Sequence, residues 1–469
     1  MSKVDETKLA QPPSLTRTAL SGLVTFAAAA LVAWYFAANP TPGSALHPLS
    51  SSPLWSGVAS RMTHPITQVP ITVLPRTTAS LFGKQVNRTS PAVFRGTAFE
   101  SWPDRSKWNL QSILEKARDS KEVKFGALVK CKIHNAGQYY NSLDAAWEGT
   151  KKSRMTGAVA PKEMEALFKR PREGKCAEGH FQVATALEKD FPDLPNFFVP
   201  NAIAEEVHAH VQSPGVMSPL EYSVGNNFLL QVEGSVEVVL VPASQLDLLY
   251  LFPFTSPFRG HAQVGHADGP ISIAEFPKFA GAELHYATLQ PGDALWIPPF
   301  WSFATVARPE QGSVNLQAFS MTPHQELILE LVDLPVIEWI DLLADKSTEE
   351  QKIFQAGFAL ARHFNYLRGD DPLSFGQFLR SIVDERFSLL EMHRNAAPMD
   401  CPRIREIHPK HPTFSYIQDD IKRATKKFFS FPYAVQISAL KDLMELIAKF
   451  SSHEWTGNTL KCWAKHAHA

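Results

Sequence analysis

His266-Ala267-Asp268 is a literal His-x-Asp, residue types that together could chelate a first-row metal ion. Good chelating sites sit on rigid elements with oriented supporting partners. This triplet lies in a Gly/Pro-flanked loop just before PISIAEFPKF, which weighs against iron there. His208-Ala209-His210 and His285 could add ligands, but His285 alternates with apolar neighbours in a strand pattern. A core or rim histidine with a satisfied hydrogen bond is the better reading of it. Glu221 could bind a metal as a carboxylate, although one carboxylate without imidazoles would be weak and undiscriminating. His466 and His468, in the terminal KHAHA, belong to a solvated tail, and Lys422 to Lys427, KRATKK, to a solvated helix face. The chain has no Gly-x-Ser-x-Gly elbow, no Gly-rich phosphate loop and no Cys-x-x-Cys.

The elements that would position these residues change character along the chain. Between Ser218 and Phe319 short apolar runs are cut by turn residues: YSVGNNFLLQV, VEVVLVPA, AELHYATL, DALWIPP and SVNLQAF, with Gln290-Pro291-Gly292-Asp293 as one such turn. That pattern predicts an antiparallel sandwich or barrel. After about Thr322 the apolar period becomes helical. Leu327, Leu331, Leu334 and Trp339 form one stripe, Ile353, Phe354, Phe358, Ala361 and Phe364 a second. Phe375, Phe378, Leu379, Ile382 and Val383 form another, and Ile437, Leu440, Leu443, Met444, Ile447 and Phe450 a last. These faces could cover the barrel or form a seam with a protein partner or a second copy.

The 469 residues carry 46 basic and 47 acidic side chains, so no long-range field recruits nucleic acid. Ala19 to Ala38 has no charged residue and is long enough for a helix to cross a bilayer, with Trp34 and Tyr35 near one end. A cleaved signal peptide is disfavoured because Tyr35 and Phe36 sit where small residues belong. Lys3, Lys8 and Arg17 precede this segment and no Lys or Arg follows until Arg61, which keeps the short tail cytosolic and the remainder lumenal or extracellular. The mitochondrial inner membrane is the rival location, against which Asp5 and Glu6 argue. The sequon at Asn87 would then be open to glycosylation. Four cysteines, Cys131, Cys176, Cys401 and Cys462, are too scattered for a disulfide framework or a zinc site, though Cys131 and Cys176 could pair in an oxidising lumen. The expected organisation is a tail over 1–18, a transmembrane helix over 19–38, a Pro/Ser-rich stalk over 39–77, a β domain over 78–322 and a helical region over 323–469.

The ordered strands, the segment PGDALWIPPFW and the upstream SPAVFRGTAFESWPDRSKW resemble the JmjC-like cupin family (cupin-8 type) of Fe(II)/2-oxoglutarate oxygenases, above all the asparaginyl hydroxylase of hypoxia-inducible factor. The resemblance implies a double-stranded β-helix. It implies an iron held by two histidines and a carboxylate, with open positions for 2-oxoglutarate and oxygen. With Asn227, Gly234 and Pro242 as landmarks, the family's first histidine falls on Glu221, its aspartate on Ser223 and its distal histidine on Phe303. The base that pairs with the far carboxylate of 2-oxoglutarate falls on Val236, and an aliphatic group cannot neutralise a buried carboxylate. Tyr222, Asn227, Trp301 and Asn315 remain as pocket candidates.

The expectation is therefore a mainly β, membrane-anchored relative of the oxygenases that has lost its metal and acts by binding a protein or a small ligand, with no cofactor. An active Fe(II)/2-oxoglutarate hydroxylase with a rearranged site built from His266, Asp268 and His285 is the alternative. A structural subunit of a membrane assembly, making its contacts through the C-terminal helices, is the third reading.

Overall fold

The computed structural model describes residues 68–74, 90–96, 109–112, 115, 128–129, 131–134, 138–141, 165–166, 168–169, 176–182, 204–254, 256, 258–264, 274, 276–308, 310–321, 375–387, 419, 430–451 and 456–466. The expected membrane helix over 19–38, the stalk's first part, Asn87, His266, Asp268, His468 and the helical stripes over 327–364 lie outside them. Among the described residues no helix is long and apolar enough to cross a membrane.

Fifteen strands are described: β1 Gln68–Pro70, β2 Thr72–Leu74, β3 Ala92–Phe94, β4 Leu128–Val129, β5 Cys131–His134, β6 Gln138–Asn141, β7 Cys176–Gln182, β8 Ala204–Gln212, β9 Glu221–Tyr222, β10 Asn226–Glu233, β11 Val236–Val241, β12 Leu284–Leu289, β13 Ala294–Ile297, β14 Ser302–Ala307 and β15 Ser313–Met321. They form a first sheet in the order β1-β12-β11-β14-β9 and a second in the order β2-β3-β13-β10-β15-β8-β7-β4, with β5 and β6 as a separate pair. From β10 onward the chain winds between the two sheets, with β10, β13 and β15 in the second and β11, β12 and β14 in the first. This is the winding of a double-stranded β-helix, and its pairings are antiparallel except for β1 with β12 and β2 with β3.

The strand sequences explain their places. β11 reads VEVVLV and is buried on both faces apart from Glu237, so it shows a continuous apolar run instead of alternation. Its link to β10 passes through Gly234 at φ 71, where a Cβ would lie 1.9 Å from the carbonyl oxygen of Gly312. Only glycine fits that turn. The turn expected at 290–293 forms, closed by Asp293 N donating to Gln290 O at 2.9 Å and by Gln290 N donating to Asp293 Oδ2 at 2.9 Å. Asp293 also accepts from Gly96 N at 3.1 Å and pairs with Arg95, stapling β3 to β13.

Three helices are described after the strands: α1 Phe375–Arg386, α2 Tyr433–Ser451 and α3 Thr456–His466. Phe378, Leu379, Ile382 and Val383 of one expected stripe and Ile437, Leu440, Leu443, Met444 and Ile447 of another are buried. Residues 49–469 form one compact unit, and one apolar cluster runs from Val239 and Val241 of β11 to Ile382, Leu440 and Leu443 of the helices. Cys462 of α3 is disulfide-bonded. The tail expected to be solvated is helical as far as His466.

Candidate functional site

Strand register fixes which side chains share a face, because directly paired residues point the same way. In the first sheet Glu221 opposes Phe303, Phe303 opposes Leu240, Leu240 opposes His285 and His285 opposes Val69. An isolated bridge sets His261 against Glu221 on its other edge. One transverse row therefore carries His261, Glu221, Phe303, Leu240 and His285. Val236 lies four residues before Leu240 and projects from the same face of β11.

That face lines the barrel. Thr305, two residues after Phe303, donates its hydroxyl to Gln212 Oε1 at 3.1 Å, and Gln212 belongs to β8 of the second sheet. The facing surface of the second sheet carries Asn227 and Gln231 of β10, Asn315 and Gln317 of β15 and His210 of β8, beside the apolar Leu229, Leu295 and Ile297. Gln317 Nε2 donates to Asn227 Oδ1 at 3.2 Å, Asn315 Nδ2 lies 3.4 Å from His210 Nδ1, and Gln231 Nε2 donates to Ser313 Oγ at 2.9 Å.

Two of the positions matched to the family's ligands, Glu221 and Phe303, thus stand side by side on the face that lines the barrel. Glu221 and Phe303 face each other across one strand pair, and Phe303 is an apolar member of the core. Ser223 follows β9 and is tied by its carbonyl, which accepts from Phe300 N at 2.8 Å. Phe300 holds φ 63, an uncommon conformation for an aromatic residue, supported by that bond and by edge-to-face contact with Phe431 at 5.3 Å. Val236 has no solvent exposure and is paired with Ala307 on one side and Leu289 on the other. Glu221, Ser223, Phe303 and Val236, the residues at the positions that the resemblance matches, do not fit an iron triad and the counter-ion of a dicarboxylate.

Sequence reasoning missed His261. Its Nε2 lies 3.6 Å from Glu221 Oε2, with each side chain about a quarter exposed. Burial pushes the Glu221 carboxyl up to about 7 and the His261 imidazole down to about 4. Below neutrality the carboxyl is largely protonated, and the imidazole beside it is neutral. The Gly260 turn, at φ 88, swings His261 back beside β9, and no sequence periodicity links positions forty residues apart.

His285 projects into the same face with its ring edge-on to Trp301 at 5.0 Å, and burial lowers its pKa. It stands three strand spacings from Glu221, about 14 Å at the usual interstrand distance, too far to share an ion. No three His, Cys, Asp or Glu side chains converge on a metal position among the described residues. Tyr222 is no pocket residue: it turns to the opposite face and hydrogen-bonds Ser438 of α2. There it meets a cluster in which Arg386 pairs with Asp442 and with Glu445 at 2.9 Å, and Lys441 and Lys278 pair with Glu385.

The profile of the cupin-like domain family matches residues 78–317, just over half of the chain. The chain belongs to that family. It is 34% identical over 136 residues to the tRNA wybutosine-synthesizing protein 5 of Danio rerio, covering 28% of this chain and 39% of that one. The Jumonji C domain-containing protein 5 of Drosophila melanogaster is 31% identical over 113 residues, covering 24% and 27%. The lysine-specific demethylase JMJ30 of Arabidopsis thaliana is 26% identical over 203 residues, or 43% of each chain. The chain spans less than half the length of each of these relatives. It carries a cupin-like, Jumonji C-related domain, and the relatives' activities belong to them.

Proposed function

We propose that this chain is a catalytically degenerate cupin that acts by binding a protein or small ligand, held to a membrane by residues 19–38 with its barrel in the lumen or outside the cell. The observation that carries the first half is the register: Glu221 and Phe303 stand opposed at the metal position, and Val236 stands where the cosubstrate's counter-ion is needed. An iron ligated by one carboxylate beside a phenyl ring would be held weakly and without discrimination. The second half is supported by the placement of Lys3, Lys8 and Arg17 before the apolar segment and by the disulfide at Cys462, a bond that persists in oxidising compartments. A tRNA role like that in the relatives' printed names finds no support in a net charge of −1.

Two experiments test the reading. The full chain, supplied with Fe(II), ascorbate and 2-oxoglutarate, is expected to release no succinate above the rate of a boiled control. Steady release, lost on His285→Ala, would establish the rearranged oxygenase instead. In cells, a mobility shift on removal of N-glycans that disappears in Asn87→Gln is expected for a lumenal barrel. An unshifted, protease-protected chain in mitochondria would contradict the location.

A further inference from the structure

The polar face inside the barrel has more hydrogen-bonding capacity than the protein uses. Asn227 Nδ2, Gln231 Oε1, Asn315 Oδ1 and Gln317 Oε1 are buried without a partner among the described residues. Asn227 is 2% exposed, and Gln231 and Asn315 are fully buried. Each such atom is costly when left unmet. Exchanging the O and N of both Asn227 and Gln317 keeps their mutual bond, yet still leaves one amide N–H and one carbonyl unused. The surplus is therefore mixed, donors and acceptors side by side. No Lys or Arg stands in these rows of β10 and β15, nor in the facing row of β11 and β14 that carries Val236, Leu240 and Phe303.

We propose that this face recognises an uncharged carboxamide, whose paired N–H donors and carbonyl match the unused acceptors and donor of Asn227, Asn315 and Gln317, with its aliphatic stem against Phe303 and Val236. A buried anion would find no Lys or Arg in these rows, and the unused groups of Asn227, Asn315 and Gln317 are uncharged, so the lining suits a neutral amide. This rests on the reading of the barrel as a binding site without metal or 2-oxoglutarate.

The probe is glutaramide, the neutral diamide of a five-carbon chain, compared by calorimetry and thermal shift on the full chain with glutarate, pentane-1,5-diol and 2-oxoglutarate. Glutaramide is expected to bind saturably and raise Tm, the diol to bind at least tenfold more weakly, and the two dianions not to bind. Gln317→Leu is expected to weaken glutaramide at least tenfold. Asn227→Leu combined with Gln317→Leu removes both ends of one bond, and is expected to keep the wild-type Tm while losing glutaramide. Absence of glutaramide binding up to its solubility, equal binding of the diol, or binding untouched in the variants would overturn the proposal and assign the unused atoms to ordered water. Saturable 2-oxoglutarate binding would overturn the metal-free reading itself. The order of the four probes on the wild-type chain decides the matter even if neither variant folds.

Discussion

Two buried polar regions of this molecule, about one strand thickness apart, follow opposite rules. On the outer side of β9, Arg386 is 3% exposed and is met by Asp442, Glu445 and Ser438, while Lys441 and Lys278 meet Glu385. On the inner side the barrel holds amides, imidazoles and one carboxyl, with no cation in the rows beside them. Adjacent residues of one short strand divide them: Tyr222 turns to the charges and Glu221 to the barrel. The comparison shows that burial of charge is tolerated where every charge has a partner. Burial raises a carboxyl on both sides, opposed by a cation on the outer side alone. Glu445, accepting from Phe254 N at 2.6 Å and from Arg386, has its carboxyl raised to about 7 by burial against those stabilising contacts. Glu221 reaches about 7 with burial alone and no cation to hold it.

The sharpest way to erase the difference is to restore charge and ligands inside. Glu221→His, Ser223→Asp and Phe303→His together are expected to bind Co(II) with a micromolar Kd where the native chain binds none, roughly 8 kcal/mol of new binding free energy. Absorption spectroscopy of the cobalt complex reads it. A triple variant that folds and stays metal-free would show that these three positions do not converge. The next largest effect is on the outer side. Arg386→Met strands Asp442 and Glu445 and is expected to cost about 3–5 kcal/mol in urea unfolding. Adding Asp442→Leu and Glu445→Met should recover most of that loss.

A smaller effect concerns pH. The raised Glu221 carboxyl makes the folded state hold an extra proton between the ordinary 4.5 and about 7, so its contribution is full below 4.5 and is lost as pH rises to 7. The lowered His261 imidazole makes the unfolded state hold the extra proton between about 4 and 6.5, so stability rises with pH across that window. The two oppose each other. In Glu221→Gln stability is expected to climb by about 2 kcal/mol from pH 4 to 6.5, and in His261→Asn to fall by about as much from pH 4.5 to 7. Thermal unfolding at several pH values checks both slopes, and single variants with unchanged profiles would deny that burial shifts these two groups.

Much of the fold was legible from the chain. The five apolar runs between 218 and 319 became β9 to β13 and β15, and the stripes at 375–383 and 437–450 lie within α1 and α2. β14 was not, because SFATVA is buried on both faces and shows no alternation to read. Of the site, positions 221, 223, 236 and 303 are matched to the family's ligand and counter-ion positions by the resemblance alone, through the landmark spacing of Asn227, Gly234 and Pro242. His261 could not be placed, because its neighbour on β9 is set by a turn at Gly260 and a single bridge. Tyr222 was misassigned to the pocket for a related reason: a two-residue strand gives too little pattern to tell its faces apart.

The most direct test of the metal-free barrel is anaerobic titration of the full chain with Fe(II), with and without 2-oxoglutarate, beside elemental analysis of the protein as purified. The account predicts substoichiometric metal, no saturable iron binding and no 2-oxoglutarate heat. One tightly held iron per chain that raises affinity for 2-oxoglutarate would contradict it.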